Sequence, residues 1–228
     1  MSIFQNPRTL RVVARRFASA FLCLLAGCDP YLGTTAASVL RKTADTDPNI
    51  RYYAYDKLAS QNIYEDDTQK TLAARTLASA YISGREGDAT RAVVCRTLGE
   101  LKRPEGRIAL RKAIDDPNDI VRAEACRALG RLGDPEDAGE LARVMAADKS
   151  IDCQVAAIDG LGELKPKDPR YSVLLADDMD HPEPGVRYAA YKALRKATGK
   201  DLGLDAEVWR KYLERVDNNK KPIARTSP

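Results

Sequence analysis

The sequence is poor in aromatic residues and histidine, and it has no long apolar run. Only 6% of its 228 residues are Phe, Trp or Tyr, and it has one histidine. No apolar stretch approaches the roughly 18 residues that indicate a membrane-spanning helix, which excludes a multi-span membrane protein. With 14 glycines and 12 prolines the chain is neither collagen-like nor of low complexity. Its hydrophobic content of 44% and nearly balanced charge exclude disorder throughout.

The excess of positive charge is confined to the start of the chain. The sequence has 37 basic and 33 acidic residues, a net charge of +4. Four arginines lie within residues 1–27, which contain no acid, so 33 residues of each sign remain from Cys28 onward. Because a neutral body has no general attraction for phosphate backbones, we expect no nucleic-acid partner.

The first 27 residues have the layout of a secretory signal, with a basic polar part followed by an apolar part. The segment ends in a Leu-Ala-Gly-Cys string at Cys28, which resembles the lipobox of bacterial lipoproteins. That resemblance implies cleavage before Cys28, acylation of its thiol and a lipidated linker over residues 28–33, so that the protein is anchored to a membrane without spanning it. An ordinary secretory leader that happens to end in cysteine is the alternative.

The same resemblance implies a location. We predict an exported bacterial lipoprotein that faces the periplasm or the cell exterior, and Asp29 after the cysteine favours retention in the inner membrane.

An amphipathic helical pattern recurs five times in the rest of the chain. The copies are spaced by 31 to 33 residues, except for the first interval of 40, which implies an insertion near residues 61–84. Equivalent leucines stand at Leu58, Leu98, Leu129, Leu161 and Leu194. A second equivalent position is occupied by Arg51, Arg91, Arg122, Gln154 and Arg187. Further helices are predicted between the copies, at about 35–45, 66–82, 104–114, 135–146 and 168–179.

The repeated string resembles HEAT repeats, in particular the short bacterial kind shared with phycobilin lyases. The resemblance covers about residues 34–200 and implies an all-α fold, an α-solenoid of about five HEAT-like helix pairs, with the repeated arginines and leucines in structural roles. Gln154 replaces the arginine in the fourth copy, which puts that repeat's hydrogen bond to its neighbour in doubt. Glycines one residue after three of the leucines, Gly99, Gly130 and Gly162, indicate close approach of the next helix.

The C-terminal end departs from the repeat. Residues 201–216 are predicted to form a capping helix in which Trp209 covers the edge of the last repeat. Residues 217–228 are polar without apolar periodicity and are predicted to be a loose tail.

No set of residues indicates catalysis, and we predict no cofactor and no metal site. The single histidine, His181, falls in a loop between repeats, at the position that Asp116 occupies in the third copy. A catalytic base needs an oriented partner and a nucleophile, and the sequence supplies neither there. Cys95, Cys126 and Cys153 lie at apolar positions of the repeat, so we interpret them as core residues rather than reactive thiols.

Aligned positions predict a surface that binds a protein or peptide partner. In HEAT-like proteins the second helix of each pair lines the concave face, and two rows of side chains project from it. The partner-binding residues predicted from these rows are Tyr52, Asp56, Arg96, Arg127, Asp159, Tyr188 and Lys192. The two tyrosines would act as end anchors and the two arginines as central contacts. A solvated ridge of mixed charge is the alternative.

Two functions remain open. The first is a membrane-anchored, non-catalytic scaffold for protein–protein interaction in the cell envelope. The alternative is a lyase-like protein that handles a tetrapyrrole or another small ligand, which rests on similarity of fold and is a weaker argument for function.

Overall fold

The computed structural model describes residues 35–220, and within that range the chain forms eleven α-helices and no strand. The leader, Cys28, the linker over residues 28–33 and the end of the chain from residue 221 lie outside the described residues. The helices are α1 Ala36–Lys42, α2 Pro48–Lys57, α3 Asp67–Ile82, α4 Asp88–Leu101, α5 Arg107–Ala113, α6 Asp119–Leu132, α7 Ala138–Ala147, α8 Ile151–Leu164, α9 Pro169–Asp177, α10 Pro184–Thr198 and α11 Ala206–Lys220. Short 3-10 turns occupy Gln61–Ile63, Pro104–Gly106, Pro135–Asp137 and Asp178–Asp180.

The first ten helices form five antiparallel pairs that stack into an α-solenoid, as the repeat predicts. We call α2, α4, α6, α8 and α10 the inner helices, and α1, α3, α5, α7, α9 and α11 the outer helices. The extra residues of the first interval are in the turn Gln61–Ile63 and in α3, which is 16 residues long against 7 to 10 for the other outer helices of the five pairs. Within residues 35–220 no helix is long and apolar enough to cross a membrane.

Polar side chains and prolines at the turns fix where the helices begin. The carboxylate of Asp47 accepts a hydrogen bond from the Asn49 amide at 2.8 Å, and that of Asp66 accepts one from Gln69 at 2.9 Å. Asn118 caps α6 in the same way. These bonds satisfy amides that have no partner inside the helix. Pro48 and Pro184 occupy first helical positions, where a missing amide proton costs nothing.

The inner helices approach one another unusually closely because small residues lie at their contacts. A Cβ atom added to Gly99 would lie 2.7 Å from the Ala128 Cα, and one added to Gly130 would lie 2.6 Å from the Gly160 Cα. At Gly162 the nearest atom would be the Ala193 Cα at 2.9 Å. The outer helices touch one another far less. A stack whose inner layer is more tightly spaced curves toward that layer, so the exposed side of the inner helices is the concave face.

The core runs without interruption between the two layers. All five equivalent leucines of the inner layer are at most 1% exposed, so they lie in the core. Four leucines at one register of the outer helices meet them: Leu77, Leu110, Leu141 and Leu175. Each pair therefore buries its apolar face partly against the next pair, because one pair alone cannot cover it.

The C-terminal helix α11 continues the outer layer. It packs on α9, and Trp209 is fully buried there, with its indole N–H donating to the Gly203 carbonyl at 2.8 Å. The prediction of a loose tail from residue 217 is wrong for its first four residues, since α11 continues to Lys220. The preceding turns extend the helix, since adding a residue to an existing helix is easier than starting one, although Asp and Asn are poor helix formers.

Candidate functional site

The repeated arginines form a ladder of ion pairs along the turns between helices. The Arg51 guanidinium donates two hydrogen bonds to the Glu86 carboxylate, at 2.8 and 3.0 Å. Arg91 binds Asp116 in the same two-pronged manner at 2.9 and 2.8 Å. Each pair joins one repeat to the next, and its two parallel bonds fix the orientation as well as the distance.

The third rung has the same form. Arg122 donates to Asp148 at 2.8 and 2.9 Å, and its remaining nitrogen reaches the carbonyls of Asp116 and Pro117 in its own turn. Because these arginines bind groups within the solenoid, they are not available to bind a ligand.

The acids of the ladder are held in their charged form. Burial is the largest influence on Glu86 and opposes its ionisation, but the hydrogen bonds and charge of Arg51, together with hydrogen bonds from Tyr55 and Arg85, outweigh it and lower the pKa of that carboxyl. At Asp116 burial is again the largest influence, and Arg91 together with hydrogen bonds from the Asn118 amide and the Tyr81 hydroxyl outweighs it, so the pKa of this carboxyl is also lowered. At Asp148 the hydrogen bond from Arg122 is the largest influence, and its pKa is also lowered.

The ladder stops at the fourth repeat. The Gln154 amide donates to the Asp148 carbonyl of its own turn at 2.8 Å, and it has no acid partner in the next repeat within residues 35–220. The position that would supply that acid is His181, whose Nδ1 accepts a hydrogen bond from the Glu183 amide at 3.1 Å. Among the residues that the structure describes, Arg187 donates only to the carbonyls of His181 and Pro182. The doubt raised by Gln154 is therefore confirmed.

The end of the inner layer carries an arginine in place of glycine. Arg195 occupies the register of Gly99, Gly130 and Gly162. Its guanidinium lies over the Tyr191 ring, 5.4 Å from the centroid, and its Nε lies 3.1 Å from Asp201. A bulky charged side chain there prevents another helix from approaching as closely as the preceding ones do.

The inner face carries a second set of ion pairs, and most of them are solvent-exposed and join neighbouring helices. Asp56 on α2 pairs with Arg96 on α4, and Asp159 on α8 pairs with Lys192 on α10 at 3.5 Å. Arg127 on α6 binds Glu124 of its own helix at 3.0 Å. Such exposed pairs contribute about 0–1 kcal/mol each, so they add little to stability.

The predicted partner-binding residues divide into two groups. Arg127, Asp159 and Lys192 line one groove of about 350 Å³ on the inner face of α6, α8 and α10. Asp56 and Arg96 lie outside this groove and bind each other.

The two tyrosines stand at the ends of the inner layer. Tyr52 is 41% exposed and Tyr188 is 57% exposed. Their equivalents Ala92 and Ala123 are buried, so the surface row is interrupted in the middle. The Lys192 ammonium lies 5.5 Å from the centroid of the Tyr188 ring, a cation–π distance.

Three further groove residues were missed by the sequence interpretation: Arg131, Glu163 and Lys196. Each lies four residues after a predicted residue and so one helical turn along the same face. Glu163 and Lys196 form an ion pair, and Arg131 lies 3.3 Å from Glu100. The signal that would have found them is the i+4 continuation of the predicted row.

The three cysteines in the described residues are buried free thiols, which confirms their interpretation as core residues. Burial raises the pKa of Cys95 and Cys153 and raises that of Cys126 to about 12. A thiol held in its protonated form is a poor nucleophile and a poor metal ligand. No group of three or more His, Cys, Asp or Glu residues within the described range is placed to hold a metal ion.

Comparisons with known proteins agree with this architecture. The family model of HEAT repeats matches residues 74–153, about a third of the chain, so this segment is similar to HEAT repeats. The complex of CpcE and CpcF of phycocyanin lyase from Nostoc sp. PCC7120 is similar in structure, with a TM-score of 0.60 and 21% identity over 80% of this chain and 70% of that one. A crystal structure of an engineered protein gives a TM-score of 0.55 and 15% identity over 84% and 90% of the two chains. No curated protein matches the sequence. At these identities the structures establish the fold alone, an α-solenoid of HEAT-like helix pairs.

Proposed function

We propose that this chain is a lipid-anchored HEAT-repeat protein of the bacterial cell envelope, which binds a protein partner on its inner face and catalyses no reaction. The observation that carries the proposal is that two sets of charged residues have different roles. The ladder arginines bind carboxylates between repeats and hold the solenoid together. The inner face displays other charged side chains and two end tyrosines, whose removal would lower the stability of the solenoid little. The similar structure of CpcE and CpcF is itself a complex of two proteins.

Photo-crosslinking tests the partner-binding part. A photoreactive amino acid is placed at Tyr188 on the inner face, where the native side chain is 57% exposed, or at Ile108 on the outer face, where it is 76% exposed. In intact cells we expect a discrete crosslinked product from the inner position and none from the outer one. A product only from Ile108, or from neither position, would contradict the proposal.

The membrane anchor rests on residues 1–28 and is tested separately. Cells grown with a palmitate analogue are expected to label the wild-type chain and not the Cys28→Ala variant. Cys23→Ala is the matched control, because Cys23 belongs to the segment that cleavage removes, and it should keep its label. Labelling of Cys28→Ala would exclude lipidation at this cysteine.

A second candidate function is binding of a linear tetrapyrrole. The similarity to phycocyanin lyase favours it, and so does a cleft of about 560 Å³ between the α1–α2 turn and α3, lined by Arg75, Arg85 and several hydroxyl groups. Guanidinium groups suit the propionate carboxylates of such a pigment.

Titration of the purified protein with a linear tetrapyrrole distinguishes this candidate. Stoichiometric binding with a shifted absorption spectrum, weakened by Arg75→Gln, would favour the second candidate over the first. Arg75 is a suitable probe because its side chain is 70% exposed and only a 4.0 Å contact to Glu105 holds it.

A further inference from the structure

The first helix of the inner layer exposes a stripe of side chains at positions that later inner helices bury. On α2 the stripe consists of Ile50, Tyr53 and Lys57, which are spaced by three and four residues and so share one helix face. Tyr53 is 61% exposed, Ile50 is 38% exposed, and Lys57 is partly exposed. The later inner helices have small buried residues at the register of Lys57: Thr97, Ala128, Gly160 and Ala193.

This stripe is the side on which a preceding repeat would pack. Between later repeats, the register of Lys57 meets a glycine of the helix before it, as Ala128 meets Gly99 and Ala193 meets Gly162. In the described part of the chain α2 packs on α1 and α4, and no inner helix precedes it. The solenoid therefore begins with its packing side uncovered by any described residue.

The two ends of the solenoid are finished differently. At the last repeat, α11 continues the outer layer and buries Trp209 completely, and Arg195 ends the inner layer. Solenoids need terminal repeats with a polar outer face to remain soluble. The first end instead presents an isoleucine and a tyrosine side by side, so it requires a cover that accepts apolar and aromatic groups.

A second copy of the chain is a poor cover for this end. If copies stacked head to tail, Arg195 of one copy would meet Lys57 of the next, because Gly162 and Ala193 occupy these two registers where α8 meets α10. Two cations in a close contact repel each other. Tyr53 also differs in size from the residues at its register in the later inner helices, which are Val93, Glu124, Ala156 and Ala189.

The proposed anchor joins the chain next to this end. Thr35 caps α1 of the first pair, and Cys28 precedes it by seven residues. Even when fully extended, seven residues span at most about 25 Å. Acyl chains on Cys28 would therefore hold the first pair within this distance of a bilayer surface.

The chemistry of the stripe suits the interface between lipid and water. Tyrosine has an apolar ring and a polar hydroxyl, and it is enriched at the level of the lipid headgroups. A lysine can bury its methylene groups while its ammonium reaches a phosphate. Ile50 adds apolar surface beside them.

We propose that the first end of the solenoid lies on the lipid bilayer, with Tyr53 at the level of the headgroups, and that the other repeats project away from the membrane. This inference rests on the lipid anchor of the proposed function. Because stacked helices are about 8–10 Å apart, the fifth pair would stand roughly 30–40 Å farther from the membrane than the first. The inner face would then remain open to a partner along the whole solenoid.

Photo-crosslinking to lipid tests the inference on the lipidated full-length protein, purified and reconstituted into vesicles of phosphatidylethanolamine and phosphatidylglycerol. A benzophenone amino acid replaces either Tyr53 or Tyr188, which is an exposed tyrosine of the inner layer in the last repeat. We expect peptides that carry a covalently attached phospholipid from position 53, at roughly ten times the yield from position 188. Mass spectrometry measures both yields.

Fluorescence quenching by brominated phospholipids gives a second measurement. The single tryptophan of the chain, Trp209, is buried near the far end and should not be quenched. Tyr53→Trp should add emission that the brominated lipids quench, and Tyr188→Trp should add emission that they do not. Lys57→Glu in the Tyr53→Trp chain should weaken the quenching severalfold. Lys112→Glu, the same change in the last turn of an outer helix, should leave it unchanged.

The outcomes separate this inference from the proposed function. Equal lipid yields at the two tyrosine positions, or no lipid adduct at Tyr53, would overturn the inference. A crosslink from Tyr53 to residues 29–34 or to a second copy, in place of lipid, would overturn it by identifying another cover. If Cys28→Ala loses its palmitate label while Tyr53 gives no lipid adduct, the anchor stands and the orientation is wrong. If Cys28→Ala keeps its label, the anchor and the inference both fail.

Discussion

The first and the last junctions between repeats are held by different means. At the first junction the Arg51–Glu86 pair is almost fully buried, with side chains 7% and 1% exposed, and no glycine contact joins α2 to α4. At the last junction Gly162 lies against Ala193, and the ion pair is replaced by Gln154 and His181.

The two middle junctions have both features. Gly99 and Gly130 provide close helix contacts, and the pairs of Arg91 and Arg122 with their carboxylates lie along the turns. The difference teaches that a junction in this solenoid requires either a buried charge pair or a close backbone contact. The two middle junctions have both.

The largest effect is expected from removing the charge at the first junction. Glu86→Gln leaves the buried Arg51 guanidinium without a counter-charge and should lower the free energy of unfolding by about 3–5 kcal/mol. Urea denaturation followed by circular dichroism measures it. Glu65→Gln, at an exposed acid, is the control and should change stability by less than about 0.5 kcal/mol. A loss below 1 kcal/mol for Glu86→Gln would show that the pair does not hold this junction.

A smaller effect is expected from crowding the last junction. In Gly162→Ala the new Cβ would lie 2.9 Å from the Ala193 backbone, so α8 and α10 must separate, at a cost of about 1–3 kcal/mol. Gly139→Ala is the matched control, because its Cβ would meet nothing closer than the Tyr171 hydroxyl at 3.7 Å. This control should stabilise α7 by about 0.5–1 kcal/mol. The same denaturation assay gives both values, and equal destabilisation of the two variants would refute the close-contact explanation.

A third change would give the last junction the charge pair that it lacks. Gln154→Arg and His181→Asp together restore the pattern of the first three repeats, and we expect a favourable coupling of about 1 kcal/mol between them. Each single change should give no gain. A double-mutant cycle measures the coupling, and a value near zero would mean that the backbone of the fifth repeat no longer presents this position to the fourth.

The smallest effect for each residue is expected from mild acid. Glu86, Asp116 and Asp148 have lowered pKa values in the folded chain. Their contribution to stability is therefore complete above the unfolded-state pKa values and is lost as the pH falls through the folded ones. Stability should be flat from pH 7 to about pH 5.5 and should decrease by roughly 0.3–0.7 kcal/mol for each carboxylate at pH 4. Denaturation curves at these pH values measure it, and Asp148→Asn should reduce the dependence. A rise in stability toward pH 4 would contradict the assignment.

The fold could be predicted from the sequence because the residues that determine it recur at the same positions in each repeat. The apolar periodicity within each copy predicts the helices. The regular recurrence of Leu98, Leu129 and Leu161 predicts that helix pairs stack, and the glycines predict the close contacts. All of this information is local to one repeat or is copied between repeats.

The candidate site could be predicted only in part, because it depends on how neighbouring repeats face one another. The row that contains Arg127 and Lys192 was found by register, but its continuation to Arg131 and Lys196 was not. Which cation meets which acid across two helices depends on the rotation between repeats, and a single sequence does not encode that rotation in a readable form.

Arg195 has a consequence for how this chain could change in length. A duplicated copy of the third repeat could be inserted after the original, since it would bring its own arginine, its own acceptor acid and its own glycine. A copy added after the fifth repeat would meet Arg195 instead of a small residue. A repeat inserted in the middle of this solenoid could therefore use both kinds of contact, whereas a repeat added at its end would have to rely on the charge pair alone.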